Sequence, residues 1–172
     1  MKFAVIAQFF ERMEGTTKRL ELTEILVELL KNTPTDVISK VAYLIQGKIR
    51  PNFEGVELGI AEKLAIKSIS KSAGIPIKKI EDAYRLGGDL GITAANILKE
   101  KTQTTFSTEN ITLERVYDTL FKIASLEGKR SQDMKIRYIS SLLNDATMNE
   151  AKFILKILLG TLRLGIAENT LI

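Results

Sequence analysis

Three observations in the 172-residue sequence predict an all-α fold. Apolar residues recur at helical spacing along most of the chain. Short Gly and Pro punctuations separate the periodic stretches, and no stretch alternates as a half-buried strand does. Hydrophobic residues make up 45% of the chain and charged residues 27%, the values of a globular domain. A chain of this length buries roughly 70% of its unfolded surface, so it needs no disulfide or metal to hold a core. The expectation is one compact domain of about nine or ten helices.

Each element has its own signal. Phe3, Ile6, Phe9, Phe10 and Met13 share one face of a first helix, which Gly15 ends. A second helix runs from Lys18 to Leu30, with Leu22, Ile25, Leu26, Leu29 and Leu30 on its apolar stripe. Thr33-Pro34-Thr35-Asp36 carries the start signal of a third: a hydroxyl at the N-cap, Pro at the first helical position, an acid in the first turn. Ile38, Val41, Ala42, Leu44 and Ile45 follow on its apolar face, and Gly47 stops it. Residues 48–58 read as a loop around Pro51, Asn52 and Gly55. Helices are expected at 60–72, 77–86 and 92–100, separated by Gly74-Ile75-Pro76 and Gly87-Gly88-Asp89-Leu90-Gly91. Residues 101–112 are polar and hydroxyl-rich, an exposed connection. Thr112 caps a helix to Leu126, another spans Ser131 to Leu143, and Thr147-Met148-Asn149-Glu150 is a capping box opening a last helix to Leu159.

Composition removes several chemistries. Cys, His and Trp are all absent. Cys nucleophiles, His bases, Ser-His-Asp triads and Cys/His zinc sites go with them. Lys79, Glu81 and Asp82 remain as reactive types, but their spacing does not distinguish them from a solvated helix face. The apolar start of the chain soon reaches Glu11, Arg12 and Glu14, so it reads as an amphipathic helix and not a signal peptide. No apolar run is long enough for a transmembrane helix, and an intracellular location is expected. The net charge of +4, from 25 Lys and Arg against 21 Asp and Glu, is compatible with an anionic partner.

The chain also carries an internal two-fold pseudo-repeat. Leu58-Gly59-Ile60-Ala61-Glu62 recurs 106 residues later as Leu164-Gly165-Ile166-Ala167-Glu168. Gly47-Lys48-Ile49-Arg50 recurs 113 residues later as Gly160-Thr161-Leu162-Arg163, and a seven-residue insertion in the first copy, Pro51 to Glu57, accounts for the difference. The offset of 113 also maps Leu29-Leu30 onto Leu142-Leu143 and Glu14-Gly15 onto Glu127-Gly128. The halves span roughly 1–66 and 113–172. One reading is a duplication kept for packing, with the glycines as helix caps. A sharper one concerns the turns. Each Gly-x-x-Arg sets a guanidinium past a helix end, beside a glycine that lets a ligand approach the backbone, and a helix start comes next. Thr16-Thr17-Lys18-Arg19 and Gly128-Lys129-Arg130-Ser131-Gln132 likewise set hydroxyls and cations at helix starts, with Lys135 and Arg137 one turn on. Two such sets fit the two strands of a duplex. These contacts position a protein without reading sequence, and the scarcity of nearby aromatics argues against single-strand stacking.

Gly160-Thr161-Leu162-Arg163-Leu164-Gly165-Ile166-Ala167-Glu168, preceded by Glu150-Ala151-Lys152-Phe153, resembles the signature of the N-terminal DNA-binding domain of ATP-dependent DNA ligases, of archaeal and eukaryotic replicative type. Leu58-Gly59-Ile60-Ala61-Glu62-Lys63, Gly88-Asp89-Leu90-Gly91 and Gly128-Lys129-Arg130-Ser131-Gln132-Asp133 fall in that family's order, so the resemblance covers essentially the whole chain. It implies a single all-helical DNA-binding domain over 1–172, a fragment of a longer ligase. Such a domain lies on the minor groove of nicked duplex DNA and helps encircle the nick, serving replication and repair. The contacts it implies are Thr17, Arg19, Gly128, Ser131, Lys135, Gly160, Arg163 and Gly165. Lys48, Arg50, Lys129 and Arg130 are added from the duplication and charge, although the Pro51–Glu57 insertion would draw Lys48 and Arg50 away from DNA. Glu62 and Glu168 read as first-turn acids that favour the helix dipole.

The family's adenylated lysine belongs to the next domain, in a Lys-x-Asp-Gly motif. Here Lys79-Ile80-Glu81-Asp82 and Lys71-Ser72-Ala73-Gly74 do not match it. The fragment is therefore expected to bind DNA without joining it and to hold no metal or cofactor, with ATP and Mg belonging to the parent ligase. Gln103-Thr104-Thr105-Phe106 resembles the Gln-x-x-Phe motif by which such ligases dock on the replicative sliding clamp, with Ser107 where a second aromatic often stands. The implied partners are nicked duplex DNA and the clamp. The chain is expected to be monomeric, in cytoplasm or nucleoid and away from membranes. The competing reading is a helical protein-interaction scaffold without DNA binding, whose affinities would respond little to salt.

Overall fold

The computed structural model describes residues 1–102, 110–128 and 130–166. Nine α-helices are seen among them and no strand. They are α1 (Phe3–Glu14), α2 (Arg19–Lys31), α3 (Ile38–Ile45), α4 (Glu62–Ala73), α5 (Ile77–Gly87), α6 (Leu90–Thr102), α7 (Leu113–Ser125), α8 (Ser131–Asp145) and α9 (Met148–Leu158). A short 3-10 turn, Asn52–Glu54, lies within the insertion. Among the described residues no helix is long and apolar enough to cross a membrane.

The capping signals act as the sequence predicts for α7 and α9. Thr112 accepts from the Arg115 N–H at 3.1 Å. At α9 the Thr147 hydroxyl accepts from the Glu150 N–H, while the Glu150 carboxylate accepts from the Thr147 N–H at 2.7 Å. The start of α3 differs from expectation. Its N-cap is Val37, four residues beyond Thr33, and the helix begins at Ile38. Thr33 is buried, and its hydroxyl donates to the Leu29 carbonyl at 2.7 Å. That bond holds Thr33 in the last turn of α2, and no side chain caps α3. Pro34 instead opens a turn closed by the Val37 N–H to the Pro34 carbonyl.

The core centres on α9. Ala151, Phe153, Ile154, Leu155, Ile157 and Leu158 are all fully buried, so this helix is apolar around nearly its whole circumference, as a central helix must be. It packs against α6 and α1. Phe153 meets Phe10 of α1 edge-on, ring centroids 5.5 Å apart, which joins the two halves of the chain. Two charged residues of α9 are buried as well, the capping-box Glu150 and, further along the helix, Lys156. The Lys156 ammonium lies 2.7 Å from Glu14 of α1 and 3.7 Å from Asp89 before α6, and Lys152 adds a second contact to Glu14 at 3.1 Å. A buried cation is tolerated only when paired in this way. Asp89 also accepts from the Ile92 N–H at 2.8 Å, so one carboxylate both caps α6 and binds α9.

A second pairing, α4 against α8, runs parallel. The Ser140 hydroxyl donates to the Ile136 carbonyl of its own helix at 2.6 Å and shares its proton with the Ser68 carbonyl across the interface at 3.2 Å, and the Ser72 hydroxyl donates to the Asn144 side-chain carbonyl at 2.9 Å. Both links across the interface join residues 72 apart in sequence, so the two helices run side by side in the same direction and in register. Ser68, Ser72 and Ser140 are buried and small, which lets the backbones approach. At the chain start the Phe3 N–H donates to Ile111 and the Leu113 N–H to Met1, a single antiparallel bridge that ties α1 to the entry of α7.

Gly91 sets how closely α6 lies on α9. A Cβ there would stand 2.9 Å from the Lys152 carbonyl oxygen and 3.1 Å from Lys156 Cγ. Gly91→Ala is expected to lower unfolding free energy by about 1–3 kcal/mol. A urea melt reads this directly, and an unchanged midpoint would mean that α6 can lift off α9 without loss.

Candidate nucleic-acid interface

The two Gly-x-x-Arg segments begin identically. Gly47 and Gly160 both have φ +68°. The Gly47 N–H donates to Leu44 and the Lys48 N–H to Tyr43, each at 2.9 Å. The Gly160 N–H donates to Ile157 at 3.1 Å and the Thr161 N–H to Lys156 at 2.9 Å. Donor by donor and acceptor by acceptor, the bonds repeat at the sequence offset of 113. Each is a Schellman turn, which needs a left-handed residue and therefore favours glycine.

Beyond that turn the copies part. In the second, Leu162 and Leu164 are buried and hold the chain down, leaving Arg163 exposed between them. Arg163 Nη1 donates to the carbonyls of Gly160 at 3.0 Å and Leu162 at 2.8 Å. The N–H groups on its Nε and Nη2 have no partner among the described residues. Gly165, at φ +72°, then sits against α2: a Cβ there would lie 3.1 Å from Leu22 Cδ1. This brings the turn to the helix whose start carries exposed Thr17 and Arg19.

The first copy is directed elsewhere. Arg50 lies 5.0 Å over the Phe121 ring of α7, with its Nε 3.8 Å from Glu54 of the insertion. The Tyr117 hydroxyl of α7 donates to the Ile49 carbonyl, and burial pushes that phenol's pKa up. Lys48 is half-buried beside them. After the insertion the Ile60 N–H donates to the Leu158 carbonyl at 2.9 Å, so the first Leu-Gly-Ile-Ala-Glu segment docks on the end of α9, just before the second copy's turn.

This docking closes one side of a groove of about 370 Å³. Gly59, Ile60 and Ala61 form a wall, α4 supplies Lys63, Leu64 and Lys67, and α8 supplies Ser131, Gln132 and Lys135. Three cations and no carboxylate line it, and none of the three has an ion pair among the described residues. Glu62, the acid nearest in sequence, accepts from the Tyr84 hydroxyl of α5 at 2.8 Å, and that bond raises the phenol's pKa.

Of the residues predicted from sequence, Ser131 and Lys135 lie in the groove. Gly128, at φ +90°, and exposed Arg130 form the turn into α8. Lys129, Gln103, Phe106 and Glu168 lie outside the described residues. Sequence reasoning missed Lys63 and Lys67. Their signal was a pair of cations at i, i+4 directly after the first signature.

A helical domain with left-handed glycine turns, exposed guanidinium and a lysine-lined groove has a surface suited to an anionic backbone. The family described as DNA ligase N terminus matches residues 2–172, and the chain belongs to it. It is 72% identical over 170 residues to a DNA ligase of Nitrosopumilus maritimus, covering 99% of this chain and 29% of that protein. A DNA ligase of Cenarchaeum symbiosum is 65% identical over the same shares. DNA ligase 2 of Thermofilum pendens is 43% identical, over 100% of this chain and 30% of its own length. The chain thus spans somewhat under a third of the relatives it matches.

Gly47 and Gly160 both face open space, so a methyl group at either position is resisted by the backbone alone. Gly47→Ala and Gly160→Ala should each lose about 1–2 kcal/mol in chemical denaturation, by similar amounts. A large difference between them would show that the two turns are not energetic equivalents.

Proposed function

We propose that this chain binds nicked duplex DNA through the sugar–phosphate backbone, without reading sequence, and positions the catalytic part of an ATP-dependent DNA ligase in replication and repair. The observation that carries this reading is the Arg163 turn. Its guanidinium is pinned through Nη1 to two carbonyls of its own turn, which leaves Nε and Nη2 to form a fork toward a phosphate. The pinning spares part of the side-chain entropy that an unrestrained arginine loses on binding. Thr17, Arg19, Gly160 and Gly165 extend the same surface, and Gly128, Arg130, Ser131 and Lys135 supply a second stretch. Arg50 is expected to contribute less than Arg163, because Glu54 offsets its charge.

Joining is assigned to parts of the parent protein beyond this chain, along with ATP and Mg, since the Lys-x-Asp-Gly motif is absent here. The chain works inside the cell, as a monomer. Gln103 and Phe106 are proposed to dock on the sliding clamp. A Phe106→Ala variant should lose clamp affinity in a surface-capture assay, and unchanged affinity would reject that site.

Binding to nicked and intact labelled duplexes, followed by fluorescence anisotropy across salt concentrations, tests the main reading. With about five phosphates neutralised, log K should fall against log salt with a slope of about −4.5. Arg163→Gln should weaken binding equally for unrelated sequences and reduce the slope by about one. A wild-type chain that binds neither duplex at low salt, or binds with no salt response, would favour a protein-interaction scaffold.

A further inference from the structure

We propose that a single DNA strand runs from the Arg163 turn into the groove between α4 and α8. Its phosphates are held there by Lys63 and Lys67 from one half of the chain and by Ser131 and Lys135 from the other. The inference rests on the DNA-binding reading and adds to it two residues and a path.

The register of the two helices carries the geometry. Ser68 bonds across to Ser140 and Ser72 to Asn144, both at a separation of 72. Continued toward the helix starts, the same register sets Lys63 opposite Lys135. All three lysines and Ser131 line one groove. Lys63 and Lys67 stand one turn apart on α4, as Ser131 and Lys135 do on α8. Four residues of α-helix rise about 6 Å. A DNA strand carries one phosphate per about 3.4 Å of duplex axis, so each row spans about two phosphates.

Three further features favour a polyanion. Parallel packing puts the N-terminal ends of α4 and α8 at the same end of the pair, where their partial positive charges add. No carboxylate lines the groove, and Glu62 is drawn off toward Tyr84. Gly59 has nothing within 4 Å of where a Cβ would stand, so a backbone can approach its wall closely. The bond from the Ile60 N–H to the Leu158 carbonyl joins this wall to the helix end that precedes the Arg163 turn. The groove wall and the helix end that leads into the turn are therefore neighbours, and the proposed path runs from one to the other. On this path the two halves serve one strand together and do not each hold their own.

Two measurements test it. First, the double variant Lys63→Gln/Lys67→Gln should reduce the salt slope of duplex binding by about 1.8, while Lys31→Gln on α2 leaves it unchanged. Both groove lysines are exposed, so the fold should tolerate the change. If Arg163→Gln lowers the slope and the double variant does not, the groove is overturned while the DNA-binding reading stands. If the wild type does not bind duplex at low salt, both fall. Second, the chain has no cysteine, so Lys63→Cys and Lys135→Cys can each carry a tethered iron–EDTA cleaving group at one site. On a nicked duplex labelled in turn on each strand, cuts from both positions should overlap on the same strand. Cuts centred on opposite strands would overturn the single-strand path.

Discussion

The parallel, in-register contact of α4 with α8 is the constraint on which the cationic face depends. Helices adjacent in sequence usually pack antiparallel through short loops, and their opposite dipole ends then alternate along a surface. Here two helices far apart in sequence run the same way, fixed by serine hydroxyls at two successive turns. Small buried side chains allow the approach, and the hydroxyls remove the cost of burying polar atoms between them. The result is a surface where two helix starts and three lysines meet. Like charges so gathered repel one another, an arrangement more easily understood as serving a ligand than as serving stability.

Stability comes from the other side of the molecule. α9 is enclosed by apolar side chains, and its one deeply placed cation, Lys156, is neutralised by Glu14 and Asp89. These two acids belong to separate parts of the chain, so a single ammonium ties α1, α6 and α9 together. The same helix ends in the Gly160 turn. A rigid helix buried on most sides is a firm base for an exposed arginine, and the buried Leu162 and Leu164 on either side of Arg163 extend that rigidity past the helix end. Core and candidate site are thus consecutive parts of one segment.

Much of the helical framework was legible in the sequence because it rests on local physics. The capping box at Thr147 and Glu150 formed because both of its bonds lie within one turn. The third helix starts later than its signal: Thr33 bonds back to the Leu29 carbonyl in the last turn of α2, and Pro34 opens a separate turn before α3 begins. The turns around Gly47 and Gly160 were legible as a repeated motif, and their hydrogen bonds do repeat. The course of the chain beyond those turns was not legible. Nothing in the letters Gly-Lys-Ile-Arg tells that Arg50 lies over Phe121, a residue 71 positions away.

By itself the sequence determined the helical class, most helix boundaries, the left-handed glycine turns and the absence of Cys and His chemistry. Each of these comes from short-range periodicity, capping or composition. The tertiary structure alone decided which cations share a surface. Lys63 and Lys67 were not singled out from the sequence. They join Lys135 only because α4 and α8 pack in parallel and Ile60 bonds to the end of α9. Electrostatic meaning depends on distance through space, and chain order does not encode that until the core has packed.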